Sequence, residues 1–339
     1  MMQTVWGWQP AIYLFLGGMG AGAFVMAALL YLKHKDAYQR IISCSMWVAV
    51  VSLIVGLLLL LMELVTPLRG LLMWQSFSHM SSWMTYGAWG AFGAIIAFGL
   101  SAVFATPKIN AWLQQRCSWF KAHQETLRSV LAVIGIVLGL FVAVYTGMLL
   151  KTSNNVPFWN TYLLPALFTV SALDTGIAAV ELVVIAHERK EELAATTKRF
   201  VYQCVVCLVV LEVIVLAVLL GVSMAGGAGD AITQTAAQSA AMLVTGDLAV
   251  LFWGLVVILG LVFPLVVAVK ELMDLKKAAK PEDTDASNAQ KTDTPKHVNT
   301  LGIIGAGGAL IGGCALRFLV LAVGIHADVV AETILHMIG

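Results

Sequence analysis

The sequence predicts an all-α, polytopic integral membrane protein with eight transmembrane helices, and three observations carry that reading. Of its 339 residues, 60% are hydrophobic and only 12% charged, with a mean hydropathy of +0.89. A soluble domain carries about 25% charge. Several mostly apolar runs reach about 20 residues or more, enough to cross a hydrocarbon core of about 30 Å. Finally, seventeen of the twenty Lys and Arg residues fall in four of the connections between those runs. The net charge of +1 gives no reason to expect nucleic acid as a partner; the partner that the composition demands is the lipid bilayer.

The spans lie at about 8–32, 41–65, 83–105, 127–150, 161–187, 200–224, 240–269 and 300–325. The first is crowded with Gly17, Gly18, Gly20 and Gly22, and Gly18 with Gly22 makes a GxxxG face that permits close helix approach. No Lys or Arg precedes it, so it does not have the pattern of a cleaved signal peptide. The second and third spans are plain apolar runs. The fourth carries Tyr145 near its end. The fifth carries Asp174 and Glu181, and the sixth Glu212. The seventh span is read through Asp247, and the eighth holds Arg317. The connection after the seventh span contains KPEDTDASNAQKTDTPK, which is polar and free of aromatics, and reads as a flexible linker over about 274–298. Residues 1–339 are therefore expected to form one membrane domain without a soluble module or an internal repeat.

Charge fixes the expected topology. The first connection holds Lys33, Lys35 and Arg40; the third holds Lys108, Arg116, Lys121 and Arg128. The fifth holds Arg189, Lys190, Lys198 and Arg199, and the seventh holds Lys270, Lys276, Lys277, Lys280, Lys291 and Lys296. The even-numbered connections hold only Arg69 and Lys151. By the positive-inside rule the odd connections are cytoplasmic, and both termini lie outside.

Ionisable residues inside a span cost about 2.5–3.5 kcal/mol each at the centre on insertion scales, and they generally face the protein interior. Counting about 1.5 Å per residue places Asp247, Arg317 and Tyr145 at one depth, roughly 8–12 Å inside the outer face. An Asp and an Arg at one level neutralise each other. The same three groups would suit a ligand that carries carbonyl oxygens and exchanges protons, such as a quinone head group. Asp174, Glu181 and Glu212 lie from the midplane inward and suggest a chain of titratable groups toward the cytoplasm, or interhelical hydrogen bonds.

Metal and haem are not expected. Cys204 and Cys207 form a CxxC inside an apolar run with no second pair to complete a ligand set. None of the seven histidines falls in the middle of a span, whereas a membrane haem needs intramembrane axial ligands.

Several blocks of the sequence resemble the NrfD-type membrane subunits of polysulfide, dimethyl sulfoxide and related molybdoenzyme complexes. WGWQPAIYLFLGGMGAGAF is similar to the family's glycine-rich first helix. MELVTPLRG and SSWMTYGAWG match the second and third helices, and YTGMLLKTSNNVPFWNTYLLPALFTVSALDTG the fourth and fifth. GCALRFLVLAVG places Arg317 at the usual last-helix arginine. The resemblance implies two four-helix bundles with no redox centre of their own. It implies binding of menaquinone or ubiquinone near the outer face of a prokaryotic inner membrane. It also implies docking of a ferredoxin-like 4Fe–4S subunit that serves a molybdopterin catalytic subunit of the bis-pyranopterin type. On this reading Tyr145 lies near the quinone head group. Where relatives often carry His or Asn in the first helix, this chain offers Gln9 and Tyr13, with His79, Asp247 or Arg317 as substitute donors. Glu63, Arg69, Trp83, Trp159 and Asn160 are assigned to the partner-facing rim or to site support. The competing expectation is a transporter or proton-translocating protein without quinone chemistry. Against it stands the lack of matched, Gly- or Pro-interrupted spans in two halves.

Overall fold

A computed structural model describes residues 7–35, 37–63, 83–153, 155–187, 191–228, 230–278 and 300–326. These residues form α1 (Trp8–His34), α2 (Gln39–Glu63), α3 (Trp83–Ala105), α4 (Pro107–Arg116) and α5 (Ser118–Lys151). They continue in α6 (Leu163–His187), α7 (Ala195–Ala225), α8 (Ala231–Val244), α9 (Ala249–Ala278) and α10 (Thr300–Ala322). All but the short α4 and α8 are long and apolar enough to cross a membrane, which gives the eight expected spans.

Two four-helix groups result. Helices α1, α2, α3 and α5 pack together, as do α6, α7, α9 and α10, and α1 also packs along α6 and touches α10. Helix α1 is apolar all round, and every residue from Gly17 to Ala28 is buried. Its glycines let it lie against α6. A Cβ on Gly22 would run into the carbonyl of Ala172, and one on Gly176 into the backbone of Gly22. The GxxxG face is thus the seam between the bundles.

The helix ends that border the lysine- and arginine-rich connections lie at one end of the molecule, here termed the basic end. There Glu191 accepts hydrogen bonds from the backbone N–H groups of Arg40 (3.1 Å) and Ile41 (3.0 Å) in the first turn of α2. That turn has N–H groups with no intrahelical partner, and an anion suits its dipole. The Ala194 N–H donates to the Tyr38 hydroxyl at 3.0 Å, and His34 Nε2 lies 3.0 Å from Thr197 Oγ1. The Lys33 ammonium sits 4.3 Å from the centre of the Phe200 ring. Together these contacts tie the α1–α2 turn to the α6–α7 connection. The opposite end, where α1 begins and α5 finishes, is termed the aromatic end.

Four boundaries differ from expectation. Helices α5 and α7 begin at Ser118 and Ala195, well before the apolar runs, because a helix that leaves hydrocarbon keeps its hydrogen bonds in water. The seventh span starts at Ala249 rather than near 240. Thr245, Gly246 and Asp247 form a turn that splits off α8, with the Gly246 N–H bonded back to the Ala241 carbonyl at 2.9 Å. Helix α9 then runs on to Ala278, past residue 274 where the linker is expected to begin. Within α9 the turns over Phe252–Val262 are π-wound, and the Phe263 N–H reaches the Ile258 carbonyl five residues back. Pro264 follows directly; it has no N–H to give and its ring crowds the preceding turn, so the widened winding sits where the regular ladder fails.

Candidate functional site

The expected trio of Tyr145, Asp247 and Arg317 does not come together. Asp247 is exposed in the turn before α9, at the aromatic end. An uninterrupted seventh span would hold it inside the membrane; the three turn residues remove it. Arg317 is fully buried, and its side-chain partners belong to α6 and α10 and not to the helix that carries Tyr145. A helical side chain points back toward its helix N-terminus, and Arg317 follows that rule: Nη1 donates to the Gly313 carbonyl one turn earlier at 2.9 Å. Counting Cα rise alone ignores that reach.

Two separate constellations take the trio's place. In the first bundle, Tyr13 of α1 and Tyr145 of α5 are buried at 4% and 8% exposure, and their phenols are close enough to interact electrostatically. Tyr145 lies on Gly87 of α3, where any Cβ would collide with the phenol ring, and parallel to Phe141 at 6.3 Å between ring centres. Tyr13 packs its ring edge against Gly56 of α2. Gln9, one helical turn before Tyr13, is half-buried. Two phenol O–H donors and an amide at the aromatic end suit carbonyl acceptors on a flat apolar ring.

The second constellation occupies the second bundle. Arg317 donates from Nη1 to Ser171 Oγ at 2.5 Å and from Nη2 to the Phe168 carbonyl at 3.3 Å, and its guanidinium lies 5.1 Å from the Phe168 ring centre. Ser171 in turn hydrogen-bonds Glu212. The charges of Glu212 and Asp174 both reach Arg317. Asp174, Glu181 and Glu212 are all buried, and Glu181 hydrogen-bonds Tyr202. The three acids read from the sequence therefore share one network. Ser171, Tyr202 and Glu271 also belong to it, and sequence reasoning misses them. Ser171 is legible in principle as a polar residue three before Asp174 and so on the same helix face. Tyr202 and Glu271 sit near span ends, where polar residues are unremarkable.

The rim residues divide. Trp159 is not at the surface: it is 1% exposed and its indole N–H donates to the Val320 carbonyl of α10 at 2.8 Å. Its neighbour Asn160 is exposed, as is Trp83, which meets Tyr86 edge-on at 6.0 Å. Glu63 is the last residue of α2. Arg69 and His79 lie outside the described residues.

These features define a class: a multi-pass helical membrane protein whose buried polar groups include a phenol pair in one bundle and a carboxylate–guanidinium network in the other. The chain belongs to the NrfD family. The family model described as "Polysulphide reductase, NrfD" matches residues 1–279. A component of the polysulfide reductase of Wolinella succinogenes is 29% identical to it over 277 residues, which cover 78% of this protein and 83% of the relative. Protein NrfD of Escherichia coli is also similar, at 29% identity over 59% of this protein and 65% of the relative. A component of the selenate reductase of Mesobacillus selenatarsenatis matches at 24% identity over 51% of this protein and 46% of that relative. The family match stops short of α10, so the place of Arg317 stands on geometry.

Proposed function

We propose that this protein is the quinone-reactive membrane subunit of a multi-subunit oxidoreductase. It would exchange electrons between the quinone pool and an iron–sulfur subunit docked at the aromatic end, which serves a molybdopterin catalytic subunit. The single observation that carries this reading is the buried Tyr13–Tyr145 pair in a protein whose relatives include components of a polysulfide and a selenate reductase. The charge asymmetry supports an aromatic end, and both termini, on the outer side of a prokaryotic inner membrane. Asn160 and Trp83, exposed at that end, are offered as partner contacts.

When bound, menaquinone or ubiquinone supplies two-electron, two-proton redox chemistry. The protein's own part is positional. Tyr145 and Tyr13 donate hydrogen bonds to carbonyl oxygens, Gln9 adds an amide, and the apolar walls of α2 and α3 keep water from the ring. Gly87 fixes Tyr145 by leaving room for its ring alone.

The test is turnover with a quinol donor in the native complex, beside extraction of bound quinone and identification of co-purifying subunits. Tyr145→Phe is expected to slow quinol-dependent turnover by about a hundredfold to a thousandfold, the scale of a lost positioned donor, while leaving assembly intact. Unchanged turnover in both Tyr145→Phe and Tyr13→Phe removes the site. A protein that purifies alone and without quinone removes the function.

A further inference from the structure

The basic end of the first bundle carries more positive charge than its own acids balance. From Trp83 to Arg128 the sequence holds Lys108, Arg116, Lys121 and Arg128 against one acid, Glu125. Glu125 pairs with Lys35 of α1. Arg128 is buried, its guanidinium 4.5 Å from the centre of the Tyr31 ring. Lys108, Arg116 and Lys121 are exposed, and no carboxylate or ring engages them among the described residues. The second bundle differs at the same end, where Lys198 pairs with Glu192 at 3.4 Å and Lys33 lies on Phe200.

The fold fixes how this charge is presented. Helix α4 packs on α3 and α5, and Gln114 Nε2 holds it there by donating to Gln124 Oε1 of α5 at 2.8 Å. Asn110, one turn away on the same side of α4, is buried and accepts from Gln114 Nε2 at 3.2 Å. Lys108, Trp112 and Arg116 recur every fourth residue and so share a face; all three are exposed, Trp112 at 57%. Trp119 of α5 is 61% exposed and stacks on His123 at 5.1 Å between ring centres. Its neighbour Phe120 sets its level, because the Phe120 ring lies 5.2 Å from that of Phe104 in the last turn of α3. Helix α3 has 23 residues and is about 34 Å long, little more than a hydrocarbon core, so its last turn marks the border with the headgroups. Further along α5 the exposed residues His123, Thr126, Val130 and Val133 follow Trp119 at three- and four-residue steps. They form one outer face that passes unbroken into the apolar run.

Tryptophan favours the level between hydrocarbon and headgroups, and Lys or Arg at that level draws anionic lipid. A soluble acidic protein would answer the three cations, but it would leave Trp119 without a reason to continue the lipid-facing side of α5. We infer that α4 and the first turns of α5 form a binding surface for anionic phospholipid. Lys108, Arg116 and Lys121 pair with the phosphodiesters, and Trp112 and Trp119 sit among the glycerol and upper acyl carbons. Arg128 is spent on Tyr31 and takes no part. The inference needs only a protein embedded in a bilayer, and it stands or falls apart from the quinone reading. Through the Gln114–Gln124 hydrogen bond, lipid held by α4 also holds the basic end of α5 in place.

Cys117, exposed between α4 and α5, supplies the reporter. The full-length protein, with Cys44, Cys204, Cys207 and Cys314 replaced by Ala, carries a polarity-sensitive fluorophore on Cys117. Its emission is compared in vesicles of phosphatidylcholine and in vesicles of equal parts phosphatidylcholine and phosphatidylglycerol. The emission is expected to move to the blue with phosphatidylglycerol, and high salt to reverse the shift by screening. Combining Lys108→Gln, Arg116→Gln and Lys121→Gln is expected to abolish it. Each cation is worth about fivefold in affinity for an anionic surface. Arg116→Gln alone should therefore raise by about that factor the phosphatidylglycerol content that gives half the shift, and it serves if the triple variant does not fold. Equal emission in both vesicles, or a full shift in the variant that folds, overturns the inference. A shift in phosphatidylcholine on adding inorganic phosphate at matched ionic strength assigns the surface to a free anion and overturns it too. So does a shift in phosphatidylcholine that appears only when the protein sits in its native complex, which assigns the surface to a protein.

Discussion

The two bundles solve different problems with the same material. Among the described residues the first bundle buries no carboxylate; at the aromatic end it buries the phenols Tyr13 and Tyr145 among apolar side chains and glycine, and its buried cation, Arg128, lies over the Tyr31 ring. The second buries Asp174, Glu181, Glu212 and Arg317 together. A buried phenol is uncharged and costs less to desolvate than a carboxylate, which suits the positioning role proposed for it. Buried carboxyls are expensive, remain within reach of proton exchange, and persist only with partners. The comparison teaches that the phenol pair and the buried acids are carried by different helices, in bundles that meet where α1, α2 and α5 pack against α6.

That division is broken most severely at Arg317. Replacing it with Met removes the one cation that Asp174 and Glu212 share, and loss of one partner of a buried pair costs about 3–5 kcal/mol. Thermal unfolding of the detergent-solubilised complex should show this, and Arg317→Lys should recover little because the two-nitrogen grip on Ser171 and the carbonyls is lost. Next in size is Gly22→Val. The added atoms meet the Ala172 backbone, and overpacking of about 1–3 kcal/mol or more is expected. It should weaken both sites at once, read as lower stability together with lower turnover. Trp159→Phe removes the donor to the buried Val320 carbonyl; a loss of about 1–3 kcal/mol is expected, confined to the anchoring of α10. Glu191→Ala is the smallest, about 1 kcal/mol from an unsatisfied first turn in α2. Protease sensitivity at the basic end is its readout, with quinol turnover unchanged.

The spans are legible in the sequence because insertion into hydrocarbon demands long apolar runs, and no tertiary contact overrides that demand. Asp174, Glu181 and Glu212 are legible for the complementary reason, that a buried charge needs a role. Fine placement is what sequence misses. Asp247 reads as intramembrane because hydropathy averages over the Thr245–Asp247 turn. Trp159 reads as a residue of the partner-facing rim or of site support; its partner carbonyl on α10, 161 residues away, is invisible in sequence. The Tyr13–Tyr145 meeting requires knowing that α1 and α5 are neighbours, which apolar periodicity does not encode.

The position of α1 has a mechanical consequence. Tyr13 and Gly18 are five residues apart, about 7.5 Å along a straight helix. A Cβ on Gly18 would lie 3.7 Å from Arg317 Nη2. Helix α1 is clamped at its far end by Lys33 on Phe200 and His34 on Thr197. Between that clamp and Tyr13 the helix is buried on every side from Gly17 to Ala28, so one stiff, tightly housed segment carries the Tyr13 phenol at one level and walls the guanidinium at the next.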